Sequence, residues 1–328
     1  MVVLSRPALD EISFVNNPKQ TLLSAIPVVD LSHPDAKSLL LHACEEYGFF
    51  KVINHGVPEG VMKGLEDEAA KFFSLPRSEK EKAGPADPFG YGNKTIGPNG
   101  DVGWVEYLLL KTDVKSIYHS ALDVSSGNPE KFRSAVTDYV SGVRDLACEV
   151  LELLAEGLKL QHRSLFSKLL KDEENDSIFR LNHYPPCPDF QSLEMIGFGE
   201  HTDPQIVSVL RSNDSTGLQI SLKDGSWVSV PPDQNSFFIL VGDSLQVLTN
   251  GRFRSVRHRV IANSFKSRLS MIYFGAPALQ EKIAPLPSLT GAGALSKYKE
   301  FTWSEYKTSA YKSRLADNRL VLFEKKSA

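Results

Sequence analysis

Two histidines and an aspartate have the residue types and spacing of a metal site. His201 and Asp203 are separated by one residue, so in an extended strand their side chains project from the same face. We expect a second strand to bring His258 to the same point from across a β-barrel. Two imidazoles and one carboxylate on one face of an ion are typical of non-haem ferrous iron that activates oxygen. An isolated His-x-Asp pair also arises by coincidence, so the prediction depends on further residues.

A second pair with the same spacing supplies hydrogen-bond donors for a carboxylate. Arg268 and Ser270 share one face of the next predicted strand. A guanidinium matches the planar geometry of a carboxylate, and a hydroxyl adds a further hydrogen bond. We expect the hairpin from His258 to Phe274 to hold this clamp near the metal, and the hydroxyl of Tyr184 to reach the same acid. The alternative for Arg268, a surface salt bridge, is disfavoured by the apolar residues around it.

Short apolar runs between Ser177 and Pro277 predict the strands that position these residues. They are rich in Ile, Val, Phe and Leu, and Gly, Asn, Asp or Pro interrupts them every eight to twelve residues. Runs at this even spacing are typical of an all-β barrel or jelly roll. The predicted strands are Ile178–Tyr184, Ile206–Arg211, Leu218–Leu222, Trp227–Val230, Phe237–Val241, Leu245–Leu248, His258–Ile261 and Leu269–Phe274.

The regions on either side of these strands combine helices, loops and short extended pieces. Apolar residues recur at steps of three and four after Pro129, which predicts a long helix packed against a sheet. Gly, Pro and Asn are frequent over Gly84–Gly103, so we predict a long loop there. Short extended pieces are expected at Ile26–Leu31 and Phe49–Ile53, and a last helix is expected from Trp303 to about residue 316.

These patterns divide the chain into three parts and define a fold class. Residues 1–170 form a mixed helical region, residues 171–280 a jelly-roll core, and residues 281–328 a C-terminal helix and tail. The predicted fold is therefore mainly β with helices, a jelly-roll barrel wrapped by N-terminal and C-terminal helices.

Composition and charge exclude several classes of protein. The chain has 37 Lys+Arg against 40 Asp+Glu and no basic stripe interleaved with aromatics, so we expect no nucleic-acid partner. No apolar run reaches the length of about 18 residues that predicts a membrane span. Arg6, Asp10 and Glu11 disfavour a secretory signal. The absence of a GxGxxG or Walker-type loop argues against a dinucleotide or ATP enzyme, and no Gly-x-Ser-x-Gly elbow supports a hydrolase.

The cysteines favour a reducing compartment. The chain has 3 cysteines, which are far apart and lack the spacing of a disulfide framework or a zinc site. We therefore expect a cytoplasmic location. Cys187 is flanked by prolines and is expected on an exposed loop, where an intermolecular disulfide remains open as an alternative. The expected state is a monomer or a weak homo-oligomer.

The motifs together carry a family resemblance. Asn-x-Tyr-Pro-Pro from Asn182, His-Thr-Asp from His201, His258 and Arg-x-Ser from Arg268 resemble the plant branch of the iron(II)- and 2-oxoglutarate-dependent dioxygenases. The strings at residues 26–31 and 48–56 are similar to the first conserved region of that family. The longer strings at residues 90–107 and 197–206 resemble gibberellin 2-oxidases of the class that acts on C19 gibberellins. One departure is His183, where many relatives carry Tyr.

The resemblance implies a fold, cofactors and an activity. The fold would be a double-stranded β-helix, with Fe(II) bound by His201, Asp203 and His258. The cosubstrate 2-oxoglutarate would be bound by Tyr184, Arg268 and Ser270, with ascorbate as reductant. The implied reaction is 2β-hydroxylation of a C19 gibberellin, which removes the hormone's activity. His183 alternates with Tyr184 and is expected to face away from the iron, whereas His55 is expected to have a structural role in a turn.

The substrate class predicts aromatic walls around the metal. A gibberellin is a rigid, largely apolar ring system with a carboxylate, so its pocket should combine aromatics with one or two donors. Trp104, Tyr107 and Tyr311 are the expected walls, with ordinary core residues as the alternative. Two other functions stay open: the same oxygenase chemistry on another plant hormone or a flavonoid, and a non-catalytic jelly-roll protein that binds a hormone.

Overall fold

The computed structural model describes residues 14–15, 21–22, 26–124, 127–187, 194–290 and 295–325. Most of its strands belong to two sheets. The strands are β1 Phe14–Val15, β2 Thr21–Leu22, β3 Val28–Asp30, β4 Phe49–Ile53, β5 Gly90–Ile96, β6 Asp101–Lys111, β7 Ile178–Tyr184, β8 Glu194–His201, β9 Val207–Ser212, β10 Leu218–Ser221, β11 Trp227–Ser229, β12 Phe237–Val241, β13 His258–Ile261, β14 Arg268–Gly275, β15 Lys282–Ile283 and β16 Phe301–Thr302.

The helices are interspersed with these strands along the chain. They are α1 Ala36–Glu46, α2 Glu59–Ser74, α3 Arg77–Lys80, α4 Val114–Val124, α5 Pro129–Gly157, α6 Lys168–Lys171, α7 Asp243–Leu248 and α8 Trp303–Lys312. Within the described ranges, none of these helices has both the length and the apolar character that crossing a membrane requires.

An eight-stranded sheet and a six-stranded sheet form the two halves of the barrel. The larger has the order β3-β4-β12-β9-β14-β7-β6-β5, and the smaller has the order β1-β8-β13-β10-β11-β2. The larger sheet takes β3 to β6 from the predicted N-terminal region and its other strands from the predicted core. The predicted parts of the chain therefore share one sheet.

The side chains of β12 pack alternately in two clusters, which shows that the larger sheet has two apolar faces. In β12, Phe237 and Ile239 pack in a cluster with the helices, whereas Phe238 and Leu240 pack in a second cluster between the sheets. Both sets are buried because successive side chains of a strand point to opposite faces. The fully apolar sequence of β12 is thus explained by a helix layer on one side and the smaller sheet on the other.

The predicted long helix is α5, and its apolar stripe covers the outer face of the larger sheet. Asn128 caps the helix by accepting a hydrogen bond from the backbone N–H of Lys131, and Pro129 occupies the first turn. The helix contacts β9 and β14. Its buried stripe includes Phe132, Val136, Tyr139, Val140, Val143, Leu146, Ala147, Val150, Leu151 and Leu154.

The predicted loop at Gly84–Gly103 was wrong over much of its length, because β5 and the start of β6 form a hairpin there. Gly90, Gly92 and Gly103 are close-packing positions inside the strands, whereas Gly97 and Gly100 have positive φ angles in the turn between them. A Cβ atom at Gly92 would lie 2.2 Å from the ring of Tyr107. Gly90 has a φ of +119°, a backbone conformation that favours glycine.

Two other predictions in the β-rich region need correction. The run Leu245–Leu248 belongs to helix α7, because a short apolar run does not distinguish a strand from a buried helix. Strand β8 was missed, since its glycines interrupt the apolar pattern. One of them, Gly197, lies under Tyr184, where a Cβ atom would be 2.7 Å from the ring.

Candidate active site

The three predicted metal ligands converge at the end of the smaller sheet. His201 ends β8 and pairs directly with His258, which begins the neighbouring strand β13. Asp203 follows just beyond β8, and its Oδ1 lies 3.6 Å from Nε2 of His201 and 3.8 Å from Nε2 of His258. The three side chains offer ligand atoms within 4.8 Å of one another. His258 therefore lies on the adjacent strand, and the expectation that it comes from across the barrel was wrong.

Hydrogen bonds orient each of these ligands. The Nδ1 atoms of His201 and His258 lie 2.8 Å and 3.2 Å from the carbonyl oxygens of Gly199 and Val256. Nδ1–H donation to these carbonyls leaves both Nε2 atoms free to bind a metal. Ser208 donates a 2.6 Å hydrogen bond to Oδ2 of Asp203.

The protonation state also suits metal binding. Burial, and then the neighbouring His258, hold the pKa of His201 well below its ordinary value. The ring is consequently neutral near pH 7, which is the form that binds metals. Two imidazoles and one carboxylate match the donor set of non-haem ferrous iron, so the residues fit this ion.

The predicted carboxylate clamp lies on the inner face of the larger sheet. Arg268 pairs with Tyr184 across β14 and β7, and Ser270 pairs with Asn182. Arg268, Ser270 and Tyr184 are each 2% exposed or less. Within the part of the chain that is described, Arg268 Nε and Nη1 and Ser270 Oγ have no hydrogen-bond partner. Buried donors are unfavourable when unpaired, and this group suits an anionic ligand with two acceptor atoms, as a carboxylate has.

The clamp and the metal ligands face each other across a small inner cavity. This cavity has a volume of about 40 Å³, and its walls include His201, Asp203 and His258 as well as Arg268 and Ser270. The two groups come from opposite sheets, because β13 belongs to the smaller sheet and β14 to the larger one. The expected hairpin from His258 to Phe274 was therefore wrong, and residues 262–267 instead connect the sheets.

A larger outer cavity of about 230 Å³ adjoins the inner one. Arg180 and Phe198 line both cavities. Two of the predicted substrate residues, Tyr107 and Tyr311, line the outer cavity. Its apolar wall also includes Ile96, Leu109 and Leu315.

Trp104, the third predicted wall residue, lies in the protein core. Its indole N–H donates a 2.8 Å hydrogen bond to the carbonyl of Pro185. Its side chain is 5% exposed and belongs to a small cluster with Cys187 and Met195. Trp104 and Tyr107 are three residues apart on β6, so they face opposite sides of the strand. Cys187 is 6% exposed, so its expected position on an exposed loop was wrong.

Several cations at the outer cavity were missed by the sequence reasoning. Lys307 is paired with Asp176, at 2.7 Å and 2.9 Å from its two carboxylate oxygens. Arg180 lies with its guanidinium carbon 3.9 Å from the ring centre of Tyr107, and its buried Nη2 has no partner in the described ranges. Arg319 also lines the cavity. The only sequence signal for Arg180 was its place on the inward face of the predicted strand, two residues before Asn182.

His183 and His55 occupy the structural positions expected for them. His183 faces away from the metal ligands and lies 2.7 Å from both Glu106 Oε1 and Ser267 Oγ. His55 accepts a 3.2 Å hydrogen bond from the backbone N–H of Val57, and its Nε2 lies 3.2 Å from the carbonyl of Asn235.

The chain has similarity to known families along most of its length. Residues 175–277 match the 2OG-Fe(II) oxygenase superfamily, and residues 26–132 match the N-terminal family described as non-haem dioxygenase in morphine synthesis. Gibberellin 2-beta-dioxygenase of Phaseolus coccineus is 61% identical over 331 residues, which cover 100% of both chains. Gibberellin 2-beta-dioxygenase 1 of Pisum sativum is 60% identical over 334 residues, again with 100% of both chains covered.

Solved structures share the fold. The crystal structure of JOX2 in complex with 2OG, Fe and JA has a TM-score of 0.83 at 26% identity, over 97% of this chain and 94% of that one. The rice dioxygenase for auxin oxidation has a TM-score of 0.77 at 24% identity, over 92% and 100%. These similarities confirm the jelly-roll fold, and with the matched superfamily they confirm iron and 2-oxoglutarate as the cofactors. The chain therefore belongs to the 2OG-Fe(II) oxygenase superfamily and, within it, to the gibberellin 2-beta-dioxygenase family.

Proposed function

We propose that this dioxygenase hydroxylates C19 gibberellins at the 2β position and thereby inactivates the hormone. The observation that carries this proposal is the 61% identity, over the full length of both chains, to the Phaseolus coccineus protein named gibberellin 2-beta-dioxygenase. The inner cavity supports the oxygenase chemistry, because it combines the three-ligand metal site with unpaired donors for an acid.

One set of inner-cavity residues binds the metal, and a second set binds the cosubstrate. His201, Asp203 and His258 hold Fe(II). Arg268 and Ser270, with Tyr184 beside them, bind the carboxylate of 2-oxoglutarate that is remote from the metal. When bound, iron and 2-oxoglutarate activate oxygen for the hydroxylation of a C–H bond. The buried walls of the cavity exclude water from this step.

The outer cavity is the proposed gibberellin site. Tyr107 and Tyr311 form part of its wall, and Ile96 and Leu109 add apolar surface for the ring system. The unpaired Nη2 of Arg180 supplies a positive charge for the substrate carboxylate. Trp104 is omitted from this site because it lies in the core.

The remaining properties follow from the chemistry of the site and of the cysteines. Ascorbate is the proposed reductant, since a ferrous site must be returned to its reduced form after unproductive turnover. The three cysteines are buried thiols, which suits a reducing, cytoplasmic location. Burial of Cys187 disfavours an intermolecular disulfide, so we propose a monomer or a weak homo-oligomer.

The function is tested by analysing products after incubation with iron, ascorbate, 2-oxoglutarate and a panel of small molecules. The panel contains C19 gibberellins, other acidic plant hormones and flavonoids, and products are identified by mass spectrometry. We expect a 2β-hydroxylated gibberellin together with succinate, and no product from Asp203→Ala. Hydroxylation of a different panel member would replace the substrate assignment. Gibberellin binding without any product from the panel would favour the non-catalytic alternative.

A further inference from the structure

Helix α8 connects the wall of the outer cavity to the protein interior. Trp303, Lys307 and Tyr311 on this helix line the cavity. Tyr306 lies on the same helix but is fully buried, and its hydroxyl donates a 2.7 Å hydrogen bond to Oδ2 of Asp243. This buried phenol therefore attaches helix α8 to Asp243, in addition to the bonds of Trp303 and Lys307 to Asp176.

Asp243 in turn contacts the metal-ligand loop, residues 202–206, which begins directly after His201 and contains Asp203. Its backbone N–H donates a 2.7 Å hydrogen bond to the carbonyl of Asp203. Its Oδ2 accepts a 3.1 Å hydrogen bond from the hydroxyl of Thr202, the residue between His201 and Asp203. The carboxylate of Asp243 therefore joins helix α8 to the metal-ligand loop.

Two further contacts hold this loop against the beginning of α7. Ser244 donates through its hydroxyl to the carbonyl of Pro204, at 2.8 Å. A Cβ atom at Gly242 would lie 1.9 Å from the carbonyl oxygen of Gln205, so the two backbones are in direct contact. Arg319 adds a 3.1 Å hydrogen bond to the carbonyl of Thr202 and also lines the outer cavity. The C-terminal segment is consequently connected to the metal-ligand loop by direct hydrogen bonds and by the contacts of Asp243.

We propose that Tyr306 is a positioning residue that fixes the metal-ligand loop through Asp243 and couples filling of the outer cavity to the geometry of the iron ligands. Tyr306 is not among the residues that line the cavity, and its hydroxyl bonds to Asp243 rather than to a metal ligand. Partners one step removed from a metal ligand typically change metal affinity or activity by about tenfold to a hundredfold. The part of this inference that concerns the substrate rests on the proposed function, whereas the part that concerns the metal does not.

The test compares Tyr306→Phe with Tyr298→Phe. Both changes remove one hydroxyl from a buried tyrosine that bonds to α7. The hydroxyl of Tyr306 bonds to Asp243, whereas that of Tyr298 accepts a 2.9 Å hydrogen bond from the side chain of Gln246. In Tyr306→Phe we expect the affinity for Mn(II), measured by calorimetry in place of iron, to fall by about tenfold. We also expect more succinate to form per hydroxylated product. Tyr298→Phe should resemble the wild type in both measurements.

A second variant tests the route through Asp243. Thr202→Val removes the other hydroxyl that donates to Oδ2 of Asp243. If both hydroxyls act through this carboxylate, their effects on Mn(II) affinity should be non-additive in a double-mutant cycle. Fully additive effects, or equal Mn(II) affinities in Tyr306→Phe and Tyr298→Phe, would overturn the proposal. Because Mn(II) binding requires no gibberellin, failure of the proposed substrate would leave this result interpretable.

Discussion

Replacement of Arg268 should separate the binding of 2-oxoglutarate from the stability of the fold. The guanidinium is 2% exposed, and two of its nitrogen atoms have no hydrogen-bond partner among the described residues. Without cosubstrate the protein therefore contains a buried charge with unpaired donors. In the proposed complex with 2-oxoglutarate, the same donors would bond to a carboxylate.

The expected changes in cosubstrate binding and in stability follow from the burial of Arg268 and the usual cost of an unpaired or lost hydrogen bond. Arg268→Lys keeps a positive charge but removes the two-point geometry, and loss of a hydrogen bond to a charged group costs about 1.5 to 3 kcal/mol. The Michaelis constant for 2-oxoglutarate should accordingly rise by about tenfold to a hundredfold. Arg268→Met removes the buried charge, so its free energy of unfolding without cosubstrate should exceed that of the wild type by about 1 to 3 kcal/mol.

Urea unfolding with Mn(II) in place of iron measures the second effect. In the wild type, 2-oxoglutarate at 100 times its dissociation constant should raise the free energy of unfolding by about 2.7 kcal/mol. Arg268→Met should show almost no such increase. The stability advantage of Arg268→Met without cosubstrate should therefore disappear or reverse when 2-oxoglutarate is added, because only the wild type gains from it. Arg314→Met, which changes an exposed arginine, serves as the control.

An unchanged Michaelis constant in Arg268→Lys would refute the reasoning, because the acid would then be bound elsewhere. The same holds if 2-oxoglutarate stabilises Arg268→Met as strongly as it stabilises the wild type.

Three other predictions address the metal, the substrate and pH. Replacing any one metal ligand by Ala should abolish product under limiting iron and weaken Mn(II) binding; the ligands are His201, Asp203 and His258. Tyr311→Ala should raise the Michaelis constant for gibberellin while substrate-independent decarboxylation of 2-oxoglutarate continues, whereas Trp104→Ala should lower both activities together with the unfolding temperature. Burial lowers the pKa of His55, so below about pH 6.5 the unfolded chain binds more protons than the folded one. The free energy of unfolding should then fall more steeply between pH 7 and pH 5.5 in the wild type than in His55→Asn, and equal slopes would exclude this role.

The residues that carry the chemistry could be predicted because their signals are local. Residues two apart in a strand share a face, and this rule placed Arg268 beside Ser270 and His201 near Asp203 without any knowledge of the fold. The same rule separates Trp104 from Tyr107, which are three apart, but it applies only once that segment is known to be a strand. The glycines at positions 90 and 92 concealed the strand, since a glycine demanded by close packing looks the same in sequence as one demanded by a turn.

The pairing of the sheets was beyond such local rules. The connection at residues 262–267 is short enough for a hairpin, yet it carries the chain from one sheet to the opposite one. That choice depends on which apolar faces are already covered, and the sequence pattern of one strand does not contain this information. The contacts of Tyr306 with Asp243 and of Arg319 with Thr202 were missed for the same reason, because they join segments far apart in the chain.

The crossing at residues 262–267 has a consequence for how ligand binding and folding depend on each other. The metal ligands belong to the end of the smaller sheet, and Arg268 and Ser270 belong to the larger one. A 2-oxoglutarate molecule bound to both groups, as proposed, would join the two sheets at a place where the buried donors of Arg268 and Ser270 lack partners in the described structure. The free energy released by pairing those donors therefore stabilises the contact between the sheets as well as the bound acid. The proposed binding of 2-oxoglutarate would account for this buried charge between two apolar layers, because the bound acid would give the donors of Arg268 and Ser270 the partners that they lack among the described residues.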